Sequence, residues 1–138
     1  MKGRPKRVVL DTNVVVSSYW GGKPKRIIEL WMEGRFKLVV SPAILQEYQE
    51  VLERFSIQDE DLEAFFALLT APRLAIVVRP DRHYDVIPED PSDNIFLDCA
   101  VAGGADHIVS GDTHLLKLGT FTGIPILNPA AFLRKLTE

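Results

Sequence analysis

Short apolar runs alternate with stretches of helical periodicity along this chain. The runs at residues 7–10, 37–40, 74–78, 107–110 and 124–127 are rich in β-branched and aliphatic residues and read as buried strands. The stretches between them predict helices at 14–20, 24–33, 42–55, 56–69, 90–102 and 113–118, with a last helix after Asn128-Pro129. Their ends carry local signals. Gly21-Gly22 halts the first helix, Gly34 the second, Gly103-Gly104 the fifth and Gly119 the sixth. Ser41-Pro42 supplies a cap and a first-turn proline to the third, Ser56 reads as the cap of the fourth, and Asp90-Pro91 opens the fifth. The polar stretch 79–89 reads as a loop, and with Gly21-Gly22 it is the segment expected to be mobile. Regular alternation of this kind predicts an α/β three-layer sandwich around a parallel five-stranded sheet with right-handed crossovers.

Carboxylates stand beside these runs. Asp11 follows the first strand and Asp112 the fourth. Functional groups of open α/β sheets collect just past the strand carboxyl ends. With strand order 3-2-1-4-5 the two aspartates would face each other at the switch point. A helix-capping role is the structural alternative for Asp11. On the third helix Ile44, Leu45, Tyr48, Val51, Leu52 and Phe55 form the buried arc. Glu47 lies about 40° beyond Val51, at its border, whereas Glu50 and Glu53 point further into solvent. Asp93 falls in the first turn of the fifth helix, where an acid suits the dipole. Asp98 is the only polar side chain between Ile95 and Ala102. A helix apolar almost all round is buried, and a buried carboxylate needs a partner. A metal, a residue supporting one, or an Arg would serve, and Asn94 one turn earlier would share the same wall. The metal-site reading of Asp98 is preferred here.

Acids converging at one sheet edge would repel and lose hydration, and divalent cations relieve both. An all-oxygen ligand set favours Mg²⁺ or Mn²⁺ and points to phosphoryl-group chemistry. His83, His107 and His114 are scattered and read as structural or exposed; no Cys/His cluster exists for zinc. No Gly-rich phosphate loop with Lys is present. Ser110 and Thr113 flank Asp112, and Ser110 reads as turn chemistry.

The length of 138 residues fits a single domain over 1–138, and 46% apolar with 25% charged residues is a globular balance. A net charge of −3 argues against passive binding to a phosphate backbone. Two local basic groups, Lys2, Arg4, Lys6 and Arg7, then Lys23, Lys25 and Arg26, are either nucleic-acid contacts or solvated surface. Cys99 is alone, which excludes an internal disulfide and suits a reducing cytoplasm. No run approaches the ~20 apolar residues of a membrane span. Asp11 and Asn13 break the apolar stretch behind the basic start, so it does not read as a signal peptide. A soluble cytoplasmic protein is expected.

The segments Val9-Leu10-Asp11-Thr12-Asn13-Val14, Leu45-Gln46-Glu47-Tyr48, Asp90-Pro91-Ser92-Asp93-Asn94 and Ser110-Gly111-Asp112-Thr113-His114-Leu115-Leu116 resemble the PIN-domain nucleases, in particular their prokaryotic toxin-like (VapC-like) branch. The resemblance runs in order over nearly the whole chain, and its first and last segments are the specific ones. It implies the 3-2-1-4-5 sheet and a Mg²⁺- or Mn²⁺-dependent ribonuclease. Its catalytic and metal-binding quartet would be Asp11, Glu47, Asp93 and Asp112. Asn13 and Thr113 match small polar positions near that quartet, and the position of Asp98 is commonly acidic in the branch. A cognate antitoxin and a homodimer are the implied partners. The ions would activate water against an RNA phosphodiester, and Lys23, Lys25 and Arg26 are the candidates for guiding the RNA backbone. The alternative is a non-catalytic module of the same fold that binds RNA or protein. A phospho-acceptor domain lacks its Lys after the fifth strand, where Asn128-Pro129 stands.

Overall fold

The computed structural model describes residues 4–137, so Lys2 of the N-terminal basic group lies outside the described residues. The chain runs β1 (Arg7–Leu10), α1 (Thr12–Ser17), a 3-10 turn (Ser18–Trp20), α2 (Gly22–Met32), β2 (Lys37–Val40), α3 (Pro42–Arg54) and α4 (Asp59–Leu68). It continues through β3 (Ala75–Val77), a 3-10 turn (Pro91–Asp93), α5 (Asn94–Gly103), β4 (His107–Val109), α6 (Thr113–Leu116), β5 (Thr120–Phe121), β6 (Ile124–Leu127) and α7 (Pro129–Thr137). The sheet order is β3-β2-β1-β4-β6-β5. All pairings are parallel except β5 with β6. The five parallel strands therefore stand in the expected order, with β6 as the predicted fifth.

The additional strand, β5, is a two-residue antiparallel edge. It reaches β6 through Thr122 and Gly123, both at positive φ (48° and 85°). That is the backbone of a two-residue hairpin turn matched to strand twist. Thr is an unusual occupant of such a turn, which hid the hairpin from the sequence pattern.

Helices α1 and α2 each begin two residues before their predicted starts, at Thr12 and Gly22, and two further starts shift later. Ser56 does not cap α4. It ends α3 at φ 59°, with the Ile57 N–H bonded back to the Leu52 carbonyl at 3.1 Å. This is the left-handed stop that Gly34 and Gly104 provide for α2 and α5, occupied here by serine. Helix α4 instead begins at Asp59, and Asp59, Glu60 and Asp61 stabilise its first turn through the dipole. Before α5, Pro91–Asp93 forms a 3-10 turn, so the helix itself starts at Asn94.

The core explains the close layering. Strand residues Val8, Val9, Leu10, Leu38, Val39, Val40, Ile108 and Val109 are fully buried. The Trp31 indole N–H donates to the Leu74 carbonyl at 2.8 Å. Tyr48, wholly buried on α3, donates its hydroxyl to the Leu10 carbonyl at the end of β1. This bond satisfies a polar tip that burial would otherwise leave unpaired, and it fixes α3 against the edge where β1 ends. Gly103 lets α5 touch β2: a Cβ there would come within 2.3 Å of a Val39 methyl. Among the described residues no helix is long and apolar enough to cross a membrane.

Gly103→Ala tests this contact, because helix propensity and packing oppose each other. In an open helix the change would stabilise by up to about 1 kcal/mol. Here overpacking should destabilise by about 1–3 kcal/mol. A lowered urea midpoint is expected; an unchanged or raised midpoint would show that α5 and β2 are not in tight contact.

Candidate metal centre

The site begins with strand pairing. Leu10 and Val109 are partners across β1 and β4, and the Asp11 N–H donates to the Val109 carbonyl at 2.9 Å. The residues just past both strands are thereby neighbours. Ser110 joins them: its hydroxyl donates to Asp11 Oδ2 at 2.6 Å and accepts the Asp112 N–H at 2.9 Å. Each aspartate also caps the helix it precedes. Asp11 Oδ1 accepts the Asn13 N–H at 3.4 Å, and Asp112 Oδ1 accepts the His114 N–H at 2.7 Å.

Glu47 approaches from α3. It is half-buried, while Glu50 and Glu53 are exposed, as the helical wheel predicts. Thr12 Oγ1 donates to Glu47 Oε2 at 2.5 Å, which ties α3 to the first turn of α1. Asp93 comes from the 3-10 turn ahead of α5. It is 5% exposed, and its Oδ2 is buried with no hydrogen-bond partner. One ligand atom each from Asp90, Asp93, Asp112 and His114 lies within 4.8 Å of the others. Asp11 and Glu47 lie outside this group, and Asp112 is a charged neighbour of both Asp11 and Asp93.

Crowding shows in the proton affinities. Burial pushes Asp11 up to about 6; hydrogen bonds from Ser110 and the Asn13 N–H oppose that shift, and the charges of Asp112 and Glu47 add to it. Asp93 rises to about 8. Burial is the main cause, followed by the close approach of the Asp112 carboxylate and the charges of Asp112, Asp90 and Asp11. Without a cation the cluster retains protons that solvated carboxylates would have lost. The buried unpartnered Asp93 Oδ2 and His114 Nδ1 are atoms that a cation would satisfy, so the residues present fit a divalent metal.

The other predicted residues divide. The side chains of Asn13 and Thr113 are exposed at the starts of α1 and α6, beside the site. Asp98 is buried as expected, but both its oxygens are engaged on the 79–89 loop. Oδ1 accepts the Tyr84 N–H at 2.7 Å, and Oδ2 lies 3.2 Å from His83 Nδ1. Asn94, one turn earlier, accepts the N–H groups of Val86 and Ile87 and donates to the carbonyls of Ile87 and Pro91. Together they hold the loop, whose Ile87 is buried and whose Tyr84 packs edge-on against Phe121 at 4.9 Å. A cavity of about 390 Å³ between this loop, α3 and α5 is lined by Asp98 and by none of the quartet. Lys23, Lys25 and Arg26 are exposed on α2, where Arg26 lies 3.6 Å from Glu29 and 3.8 Å from Glu33.

The sequence does not single out Thr12, and it presents Ser110, Asp90 and His114 as turn, cap and scattered residues. Thr12 and Ser110 orient Glu47 and Asp11; Asp90 and His114 join the acidic group. The signal for Thr12 was its direct adjacency to Asp11, and for Ser110 its place two residues before Asp112. For His114 it was its place two residues after Asp112, in the same first turn.

The profile of the PIN domain family matches residues 7–114. Comparison with curated proteins finds no match. Among solved structures, a chain of VapBC2 from Rickettsia felis, bound to a DNA fragment from its promoter, is similar with a TM-score of 0.60 at 15% identity. The match covers 88% of this chain and 98% of that one, and at this identity it speaks to the fold.

Two outcomes follow from the geometry. Asp11 and Asp93 both have raised folded pKa values, so the folded state keeps protons that the unfolded chain releases above about pH 4. Metal-free protein should therefore lose stability as pH rises from about 4 to about 8 and then level off. Melting temperatures across that range should show a slope that Asp93→Asn reduces and millimolar Mn²⁺ or Mg²⁺ offsets. A flat profile, or no shift with metal, would contradict the crowded cluster. Asp98→Asn should lower stability by about 1–3 kcal/mol by weakening charged hydrogen bonds to the loop. Its metal affinity should stay within about threefold of wild type, below the 10–100-fold loss usual for groups that support a metal ligand. Isothermal titration with Mn²⁺ separates the two.

Proposed function

The chain belongs to the PIN-domain family, and we propose that it is a divalent-metal-dependent endoribonuclease, acting as the toxin of a toxin–antitoxin pair. One observation carries the reading: buried Asp11 and Asp93 and half-buried Glu47 and Asp112, following β1, before α5, on α3 and following β4, gather at the carboxyl edge of the sheet, with Asp93 Oδ2 left unpaired. So many converging acids are hard to explain by structure alone. Mg²⁺ or Mn²⁺ held by Asp11, Glu47, Asp93 and Asp112 would lower the pKa of an attacking water and stabilise charge on the phosphodiester oxygens.

The chain's own groups prepare that site. Ser110 fixes one oxygen of Asp11, and the α1 N-terminus takes the other. Thr12 orients Glu47, and the Tyr48 bond to the Leu10 carbonyl sets the distance of α3 from β1. Ligands locked this way lose little freedom when they bind, which favours both affinity and geometry. Asn13 and Thr113, exposed beside the site, are the proposed contacts to substrate. Lys23 and Lys25, and Arg26 to the extent that Glu29 and Glu33 leave it free, are the proposed guides of the RNA backbone.

The toxin role draws on the likeness to the VapBC2 chain, which is itself part of a named pair. An antitoxin, a homodimer, a cytoplasmic location and a single domain over 1–138 complete the proposal. The exposed edge-to-face pair of Trp20 and Phe55, 62% and 51% accessible, is an apolar surface available to a protein partner.

Asp11→Asn tests the reading. Asn keeps the shape and the cap while losing the charge that metal binding needs. Cleavage of single-stranded RNA in Mg²⁺ or Mn²⁺ should fall by at least about 100-fold, the scale of losing one electrostatic stabiliser of a transition state. Circular dichroism should show an intact fold. RNA cleavage by the folded variant at the wild-type rate would remove Asp11 from the mechanism. Wild-type protein that binds RNA without cleaving it in any metal would favour the non-catalytic module.

A further inference from the structure

We propose that His114 Nδ1 and the Asp90 carboxylate complete a mixed nitrogen–oxygen metal site with Asp93 and Asp112, and that this site selects a first-row transition dication over Mg²⁺. The inference rests on the metal-site reading above and goes beyond it in naming two ligands and a preference.

His114 is delivered by the same turn as Asp112. Its backbone N–H donates to Asp112 Oδ1 at 2.7 Å at the start of α6. Its ring is partly exposed, with a side-chain accessibility of 38%, yet Nδ1 is buried and has no hydrogen-bond partner. His114 offers a ring nitrogen to the group whose ligand atoms are all within 4.8 Å of one another. A simple ion pair with Asp112 does not account for it. Nδ1 is 3.6 Å from Asp112 Oδ1, too long for a hydrogen bond, and that oxygen already accepts the His114 N–H. A second buried orphan atom, Oδ2, is on Asp93, a residue of the same group. Asp90 has one oxygen engaged by the Ser92 hydroxyl at 2.6 Å, and its other oxygen remains as a donor to a metal.

The dimensions are suitable. Ligand atoms at about 2.0–2.2 Å from an ion lie at most roughly 4.4 Å apart. The observed spread needs a contraction of only a few tenths of an ångström. The donor set then decides the metal. Mg²⁺ dehydrates reluctantly and prefers oxygen and water in near-ideal octahedral array. An imidazole nitrogen beside three carboxylates instead favours transition dications, whose affinity for nitrogen sites rises along the first row. A neutral imidazole also contributes a donor without adding a further negative charge to a cluster already crowded with carboxylates.

The test is binding, read separately from catalysis. Mn²⁺ and Mg²⁺ would each be titrated calorimetrically into wild-type protein, His114→Ala, His114→Gln and Asp90→Asn, with folding checked by circular dichroism. Pulsed electron paramagnetic resonance of bound Mn²⁺ would report nitrogen coupling. Wild type should bind Mn²⁺ at least about tenfold more tightly than Mg²⁺ and show a histidine nitrogen on the ion. Both His114 variants should lose that coupling and about tenfold in Mn²⁺ affinity, with Mg²⁺ affinity changed by less than about threefold. Asp90→Asn should weaken both metals. An unchanged Mn²⁺-to-Mg²⁺ ratio in the folded His114 variants, or no nitrogen coupling in wild type, overturns the inference. Absence of any metal binding overturns it together with the metal reading. Selective binding without RNA cleavage supports the inference and removes only the nuclease.

Discussion

Adjacent strands β1 and β4 end side by side, and each is followed by an aspartate. Two carboxylates brought together beside a sheet edge repel and lose hydration, so the edge needs something that holds them in place. Ser110 does this with one hydroxyl, donating to Asp11 and accepting from the Asp112 backbone. The Leu10–Val109 pairing sets the register that makes the bridge geometrically available. Every other group at the site is placed relative to this pair. Tyr48 locks α3 to the end of β1, which brings Glu47 within reach of Thr12. The turn before α5 adds Asp93, and the start of α6 adds His114.

Helix capping and metal binding are often treated as competing explanations of an aspartate after a strand. In this protein they cooperate. An N-capping Asp spends one oxygen on backbone N–H groups, which fixes its rotamer and directs the carboxylate to the helix start. Asp11 and Asp112 both cap, and both retain acceptor capacity toward the cleft. The positive ends of the helices also moderate the charge that the cluster accumulates. That moderation is incomplete, since Asp11 and Asp93 remain shifted upward by burial and by their neighbours. The residual stress is what a dication would relieve.

The legible parts of the sequence were those governed by local periodicity. Five apolar runs gave the five parallel strands, and the wheel of α3 separated Glu47 from Glu50 and Glu53. Features decided by distant partners were not legible. Asp98 was correctly expected to be buried and to need a partner, but the partner is the Tyr84 N–H in an irregular loop that no period describes. The same loop was expected to be a mobile tip on grounds of polarity, whereas Asn94 and Asp98 tie its backbone to α5. Ser56 looked like a cap because serine usually is one; its left-handed φ depends on how α3 must end over Leu52 and Ile57. The orphaned nitrogen of His114 could not be seen without the position of Asp93, some twenty residues away in sequence.

The loop and the acid cluster are consequently one mechanical unit. Asn94 bonds to the carbonyl of Pro91, in the turn that presents Asp93, and to the backbone at Val86 and Ile87. Ile87 is buried, so this attachment is backed by apolar burial as well as by hydrogen bonds. A cation shared between Asp93 and Asp112 would add a link between that turn and the start of α6, two segments joined in the chain only through α5 and β4. Ligands drawn from separate segments confer stability only when those segments are already near their bound positions, because ordering entropy would otherwise consume the gain. Buried Asn94 and Asp98 meet that requirement from one face of α5, one turn apart. Polar residues in an otherwise apolar helix thus preserve the geometry of a site that other residues form.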